Sequence, residues 1–521
     1  MTPMEHIKEA GREIRVRAEV DVLVAGGGTA GPAAAMAAAR LGGQTLLLER
    51  AGFLGGCLVG GATGFHAFWN VYHREPGAPK VKIVEGISQE IVDRAVEAGA
   101  SPGHVEYERS EGFNSVFTGL EPERTRLLLY DMVKAAGAQV LLHAYIVAAR
   151  TEGDRHVVII ESKAGREAVV ARQVVDATGD GDAAAALGAP FENLNHDRAW
   201  FTSLTFRIAG VPLDALRAWM EANGRVTQIV RAVKPGRKTP EIIRMCVNHE
   251  GAFRQGAAAL GMGNWMALSS LGHDEITYCN CTGRKYVDNL DPADLTDSEV
   301  ILRRQGQGMA ALLAKHVPGC ETARGGSHSP TLGVRLSRIF KTEYEIPRDD
   351  VLSGRHHEDG IGFVSFVDKG EFWIRNAGCF GIPYRSLVPL GVENLLVTGR
   401  MISSDDVVFQ TTRNTVASVE MGEAAGIAAA LAVRDRVTPR RLAPALLRET
   451  LRAAGAKVDL AIVDEAAQVS RDAWVRGVLP PLTDRNGSAL LISSWEGAEG
   501  FFYERAEAAK RNLASAWEVF Q

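Results

Sequence analysis

VDVLVAGGGTAGPAAAMAAARLGGQTLLLER spans Val20–Arg50. Val20–Ala25 is a β-branched run bounded by glycines, the pattern of a strand buried on both faces. Gly26, Gly28 and Gly31 then form G-x-G-x-x-G. An alanine-rich helix is expected over Ala33–Leu41 and a second strand over Gln44–Leu48, closed by Glu49. This is one βαβ unit with an acid 18 residues past the last glycine. Its parts have separate physical jobs. The first glycine allows a tight turn, the second lets a pyrophosphate reach the backbone, and the third lets helix and strand pack closely. The amides of Thr29, Ala30 and Gly31 open the helix, where its dipole favours phosphate charge. Glu49, with Arg50 beside it, is placed to accept hydrogen bonds from ribose hydroxyls. Strand, helix and acid together point to dinucleotide binding.

The rest of the composition narrows the setting. A chain of 521 residues exceeds what one core serves, so two or more domains are expected. A net charge of −5 with mixed signs offers no basic field for nucleic acid. Six scattered cysteines fit reduced thiols and a cytoplasmic location rather than a disulfide framework. The first twenty residues hold no signal-like apolar core, and no long apolar run predicts a membrane span.

Three further motifs follow in order. AGFLGGCLVGGATGF (Ala51–Phe65) carries the pair Gly55 and Gly56 just past the ribose acid. RQVVDATGDGDAAAALGAPFE (Arg172–Glu192) ends a strand in Ala177-Thr178-Gly179-Asp180. IPYRSLVPLGVENLLVTGRMISSDD (Ile382–Asp406) contains the turn Gly399-Arg400 and is followed by MGEAAGIAAALA, with Gly422, Ala425 and Gly426. On these motifs the chain resembles the flavin-dependent oxidoreductases of the glutathione reductase superfamily. Over roughly residues 18–435 it is most similar to a bacterial family of generic FAD-dependent oxidoreductases. The stretch Thr331–Arg355 is also family-like.

The resemblance implies FAD, held noncovalently, with Ala177–Asp180 turning beside it and Ile146 near its adenine. It also implies that the Gly399-Arg400 turn and the Gly422–Gly426 helix lie against the flavin. The implied fold is α/β, with a Rossmann-like FAD-binding domain, an inserted mixed α+β substrate or cap domain, and a helical C-terminal extension. The division is 18–200 and 381–435 for the FAD-binding domain, 201–380 for the insert and 436–521 for the extension. Arg155–Asp176 reads as a β-hairpin with its turn at Lys163–Gly165.

The expected chemistry is an FAD-dependent dehydrogenase or oxidase taking hydride from a small organic substrate onto flavin N5. Oxygen or a separate acceptor would receive the electrons. A flavin monooxygenase using NAD(P)H and an electron-transfer subunit are the alternatives. Gly261-Met262-Gly263, Gly306-Gln307-Gly308 and Gly360-Ile361-Gly362 are the seeds for a second nucleotide fingerprint, and none follows a β-branched strand. His66 and His328 are the candidate general bases. Asn280 and Arg324 are candidate substrate contacts. Cys57 has no second cysteine nearby to form a dithiol relay. His273, Cys279 and Cys281 fall short of the four ligands a closed zinc site needs, so no metal is expected. A homo-oligomer is compatible with all of this.

Overall fold

Val22–Ala25 are fully buried because their strand, Arg15–Ala25, is flanked on both sides. It pairs in parallel with Thr45–Leu48 on one side and with Gly165–Asp176 on the other. The computed structural model describes residues 11–61, 64–65, 67–71, 80–110, 116–194, 200–232, 242–270, 275–365, 373–402, 405–464 and 488–492. The first sheet has seven strands. Its order runs Gln139–Leu141, Thr45–Leu48, Arg15–Ala25, Gly165–Asp176, Arg155–Ser162 and Tyr145–Glu152. Leu395–Val397 joins it from far along the chain, pairing in parallel with Val174–Asp176. The hairpin is present, with Ser162 opposite Gly165 across the turn.

Helix Gly31–Arg40 follows the glycine turn, and its residues Gly31–Ala38 are all buried. One side packs on the sheet and another on the long helix Thr415–Asp435. This explains why both helices are built of alanine and glycine. A Cβ on Gly422 would lie 2.2 Å from the Ala30 carbonyl oxygen, and one on Gly426 2.2 Å from that of Ala34. Helix Thr415–Asp435 is also long and apolar enough to cross a membrane, contrary to the reading that no such run exists. It is a core helix, with 94% of its most apolar window inside the protein.

The residues expected as the insert, 201–380, supply six strands of a seven-stranded antiparallel sheet. Its order is Arg324–His328, Phe206–Ala209, Glu275–Asn280, Trp265–Ser270, Ile242–His249, Gly224–Ala232 and Arg109–Ser110. The last strand comes from before the insert and pairs at Gln228 and Ile229. A two-residue strand has no periodicity to reveal it in the sequence. Met245, Val247, Met266 and Leu268 turn one face of the sheet onto helices Leu213–Asn223, Gly251–Ala259 and Pro292–His316. Gly306 and Gly308 lie inside the last of these helices, and Gly360–Val364 is a strand paired antiparallel to Phe380–Pro383. Among the described residues, neither opens a second βαβ unit.

Beyond residue 435 a largely helical extension is expected. Helix Pro444–Ala453 is there, but Leu460–Asp464 and Ser488–Ile492 form a parallel strand pair. Their short apolar runs, LAIVD and SALLI, suit strands better than a helix of several turns.

Candidate active site

The glycine turn opens into a cavity of about 590 Å³. Gly26 has φ +96°, and a Cβ there would lie 2.7 Å from the backbone of Ala177, so glycine is required by the strand crossing itself. Gly31 serves packing, since its Cβ would fall 1.9 Å from the Gly26 carbonyl oxygen. Gly28 differs. A Cβ there would meet only the Ala177 oxygen, at 3.9 Å, and would otherwise project into the cavity. Thr29, Ala30, Glu49, Arg50, Gly56 and Ile146 also line this space. Gly55 does not. Its φ of +98° and close approach to Leu129 and Val59 make it a turn residue that places Gly56.

Glu49 is held rigidly. Oε2 accepts from the Gly27 amide at 2.6 Å and Oε1 from the Ala51 amide at 2.7 Å. Each oxygen keeps a lone pair for a hydroxyl donor in the cavity. Glu49→Ala is therefore expected to weaken FAD binding by about 2 kcal/mol, roughly 30-fold. Glu49→Gln should fall between, because its NH₂ must face one of the two amides. Equal affinities for all three proteins, measured by titrating apoprotein with FAD, would remove Glu49 from ribose binding.

The Ala177–Asp180 turn forms the next wall. Asp176, buried beneath it, accepts from the Thr178 amide at 2.9 Å, the Thr178 hydroxyl at 2.7 Å and the Ala184 amide at 2.7 Å. Burial pushes its carboxyl up to about 6, with those donors opposing. Burial would also raise Asp180, but the Arg400 guanidinium, 2.7 Å away, and the Ser337 hydroxyl, at 2.6 Å, hold its carboxyl below the usual range. Arg338 donates to the Asp180 carbonyl and to Asp182, so its role is structural. Gly179 has φ +82°, and its missing Cβ makes room for Arg400, from which it would stand 2.8 Å. Gly399 and Arg400 line the cavity.

Several sequence expectations need correction. Gly422, Ala425 and Gly426 are not among the residues lining the cavity; Gly422 and Gly426 pack the long helix against Ala30 and Ala34, and Ala425 is buried between them. The part of that helix facing the cavity is its start, at Asn414, Thr415 and Ser418, with the Asn414 side chain capping the Val416 amide. His328 stacks on Phe206 with ring centres 5.7 Å apart, against helix Pro292–His316, and borders a separate cleft. Arg324 is exposed on the edge strand of the insert's sheet. Neither lines the cavity. His66 and His273 lie outside the described residues. Cys279 and Cys281 lie with their sulfurs 3.7 Å apart.

Asn280 does line the cavity, and with it comes a surface the sequence reading missed. Arg244, Cys246 and Asn248 alternate with the core residues Met245 and Val247, and turn the other face of the antiparallel sheet onto the cavity. Gln228, Trp265 and Ala267 extend that face. The alternation in IIRMCVNH was the available signal. Cys57 also borders the space; burial raises its thiol, with Arg400 opposing, so it is neutral at pH 7. A larger cleft of about 1490 Å³ lies between Arg355–Asp359 and helix Pro444–Ala453. Of the charges lining it, Arg385 pairs with Asp359, and Arg448 pairs with Asp459 outside the cleft's lining.

A family model described as FAD dependent oxidoreductase matches residues 21–451. The chain belongs to that family. A search of curated proteins finds no match. Among solved structures it is similar to a geranylgeranyl bacteriochlorophyll reductase-like protein from Thermoplasma acidophilum, at 14% identity over 80% of this chain and 79% of that one, TM-score 0.39. A flavoprotein/dehydrogenase from Cytophaga hutchinsonii gives 14%, 80%, 79% and 0.40. A p-nitrophenol 4-monooxygenase from Pseudomonas putida DLL-E4 gives 10%, 83%, 84% and 0.40.

Membership makes the protein an FAD-dependent oxidoreductase, and the residues fit that cofactor. Gly28 leaves a gap that a Cβ would enter, beside the amide-held Glu49. At the turn Gly399-Arg400 and the start of the long helix, Arg400 Nε and the Thr415 hydroxyl are buried without a hydrogen-bond partner among the described residues. Buried polar groups of this kind normally have partners, and a bound flavin nucleotide supplies acceptors and donors for both.

Proposed function

We propose that the protein is a dehydrogenase or oxidase of a small organic substrate, placed with the glutathione reductase superfamily by the order of its glycine motifs. One observation carries this reading: the polar face of the insert's antiparallel sheet borders the same cavity as the nucleotide-binding glycines. FAD, when bound, supplies a hydride acceptor at N5. The chain's own residues then have three tasks. The glycine turns and Glu49 orient the nucleotide, the Arg400–Asp180 pair fixes one wall, and the sheet face holds the substrate against it. No histidine is among the described residues that line the cavity. His66, nine residues after Cys57 in the sequence, is the candidate to take the substrate's second proton, and oxygen or a separate acceptor would reoxidise the protein. The six free cysteines support a reducing, cytoplasmic setting.

Anaerobic rapid mixing tests the reading. NADH and NADPH should bleach the bound flavin slowly and without saturation, while a substrate of the right class bleaches it rapidly and saturably. Fast, saturable reduction by either pyridine nucleotide would favour the monooxygenase alternative. The attachment is a second matter. With Cys57 a neutral thiol and no dithiol partner beside it, acid precipitation should leave the yellow chromophore in the supernatant. Colour retained on the polypeptide would show a covalent link.

A further inference from the structure

The segment Cys279-Asn280-Cys281 ends the strand Glu275–Asn280 and sends its side chains to both sides of the sheet. Cys279 is fully buried in the insert's core, with Phe206 and Leu268 opposite it on the neighbouring strands. Cys281 is half-buried and packs against the same core. Alternate residues of a strand share a face, so the two thiols meet there, sulfur to sulfur at 3.7 Å. Asn280, between them, turns the other way and lines the cavity. It closes a row in which Gln228, Cys246, Ala267 and Asn280 each stand opposite the next. Both thiols are free. The hydrogen bond to Cys281 and burial push the Cys279 thiol well up, so it stays protonated at pH 7.

This arrangement is one short movement from a bond. A disulfide holds its sulfurs ~2.05 Å apart, so the pair must close by about 1.7 Å. Two strand steps of ~3.3 Å put the two Cα atoms about 6.6 Å apart, at the upper end of what a disulfide spans. The chain must therefore shorten slightly between them. Just beyond, Thr282 is fixed: its hydroxyl accepts from the Leu204 amide at 2.9 Å and donates to the Leu204 carbonyl at 2.8 Å. Asn280 is where the shortening is taken up. A disulfide closed under such strain is readily reduced again, the property of a regulatory bond rather than a structural one.

We infer that Cys279 and Cys281 form a reversible disulfide, and that closing it shifts Asn280 on the cavity face. The oxidant is a hydroperoxide. Hydrogen peroxide converts the half-buried Cys281 thiol to a sulfenic acid and releases one water. The Cys279 sulfur then bonds to the Cys281 sulfur, and its proton leaves with the sulfenic hydroxyl as a second water. Two thiols and one peroxide thus give one disulfide and two waters. Under the oxidase reading proposed above, hydrogen peroxide is the protein's own product, and the pair responds to turnover. The experiment adds the peroxide directly, so its failure leaves that reading untouched.

FAD-loaded protein is treated with hydrogen peroxide and mapped by mass spectrometry, and hydrogen–deuterium exchange is measured before oxidation, after it, and after dithiothreitol. The peptide holding both cysteines should lose two hydrogens and resist alkylation, and dithiothreitol should restore it. Amide exchange in Trp265–Ser270 and Glu275–Asn280 should quicken about fivefold on oxidation, as for one interstrand hydrogen bond lost where Ala267 faces Asn280, and revert on reduction. Cys281→Ala should show neither change. In Cys279→Ala the oxidation should stop at a Cys281 sulfenic acid that dimedone captures. Parent protein in which Cys281 passes to sulfinic acid with Cys279 free, or in which neither is oxidised, would overturn the disulfide. A disulfide that leaves exchange unchanged would overturn the shift of Asn280.

Discussion

Gly28→Ala is expected to purify as a folded apoprotein with unchanged melting behaviour and to bind FAD 10- to 100-fold more weakly, a loss of about 1–3 kcal/mol. The two halves of this result have different origins. Gly28 does not occupy the left-handed backbone region, so alanine adopts its conformation without strain. The added methyl meets nothing closer than the Ala177 oxygen at 3.9 Å, so the empty protein does not register it. It does enter the space where a pyrophosphate must approach the backbone. Gly26→Ala is the contrasting variant. There φ is +96° and the Cβ would lie 2.7 Å from Ala177, so stability itself should fall. Fluorescence titration of apoprotein with FAD reads the first effect and thermal melting the second. A Gly28→Ala protein with parental affinity would place the phosphates elsewhere.

Gly426→Ala should show the reverse, a loss of about 3 kcal/mol of stability that no concentration of FAD fully repairs. The Cβ would sit 2.2 Å from the Ala34 carbonyl oxygen, and that obstacle is backbone within a buried helix rather than a side chain free to turn. The two helices must separate, and the sheet beneath them is covered by both. Gly426→Val should express mainly as insoluble protein. Chemical denaturation measures the alanine variant, and an unchanged midpoint would mean that the helices approach less closely than described. Together the substitutions at Gly28 and Gly426 separate cofactor contact from packing at glycines that look alike in sequence.

That distinction marks what the sequence could and could not convey. The βαβ unit was legible because its parts are local: Gly26, Gly28, Gly31 and Glu49 do their work within thirty residues of one another. The Ala177–Asp180 turn was legible for the same reason. Smallness alone, however, does not say what comes close. Gly422 and Gly426 are small for a helix, not for a flavin, and the cavity instead receives Thr415 and Ser418 from the start of that helix. His328 looked chemical beside its arginines, yet strand pairing sets it opposite Phe206, where it stacks. The sheet face was half legible. Alternation in Ile242–His249 shows that Arg244, Cys246 and Asn248 share a side. That Gln228, Cys246, Ala267 and Asn280 align depends on register between four strands, which no single segment encodes.

The contact between helices Gly31–Arg40 and Thr415–Asp435 also imposes a schedule on the nascent chain. The first helix leaves the ribosome nearly four hundred residues before its partner is made. At translation rates of ~5–20 residues per second, that interval is roughly 20–80 s. Throughout it, the alanine surface that will meet Gly422 and Gly426 has nothing to rest on, and Leu395–Val397 has yet to join the sheet. The cofactor site is therefore completed only long after its most recognisable motif has been made.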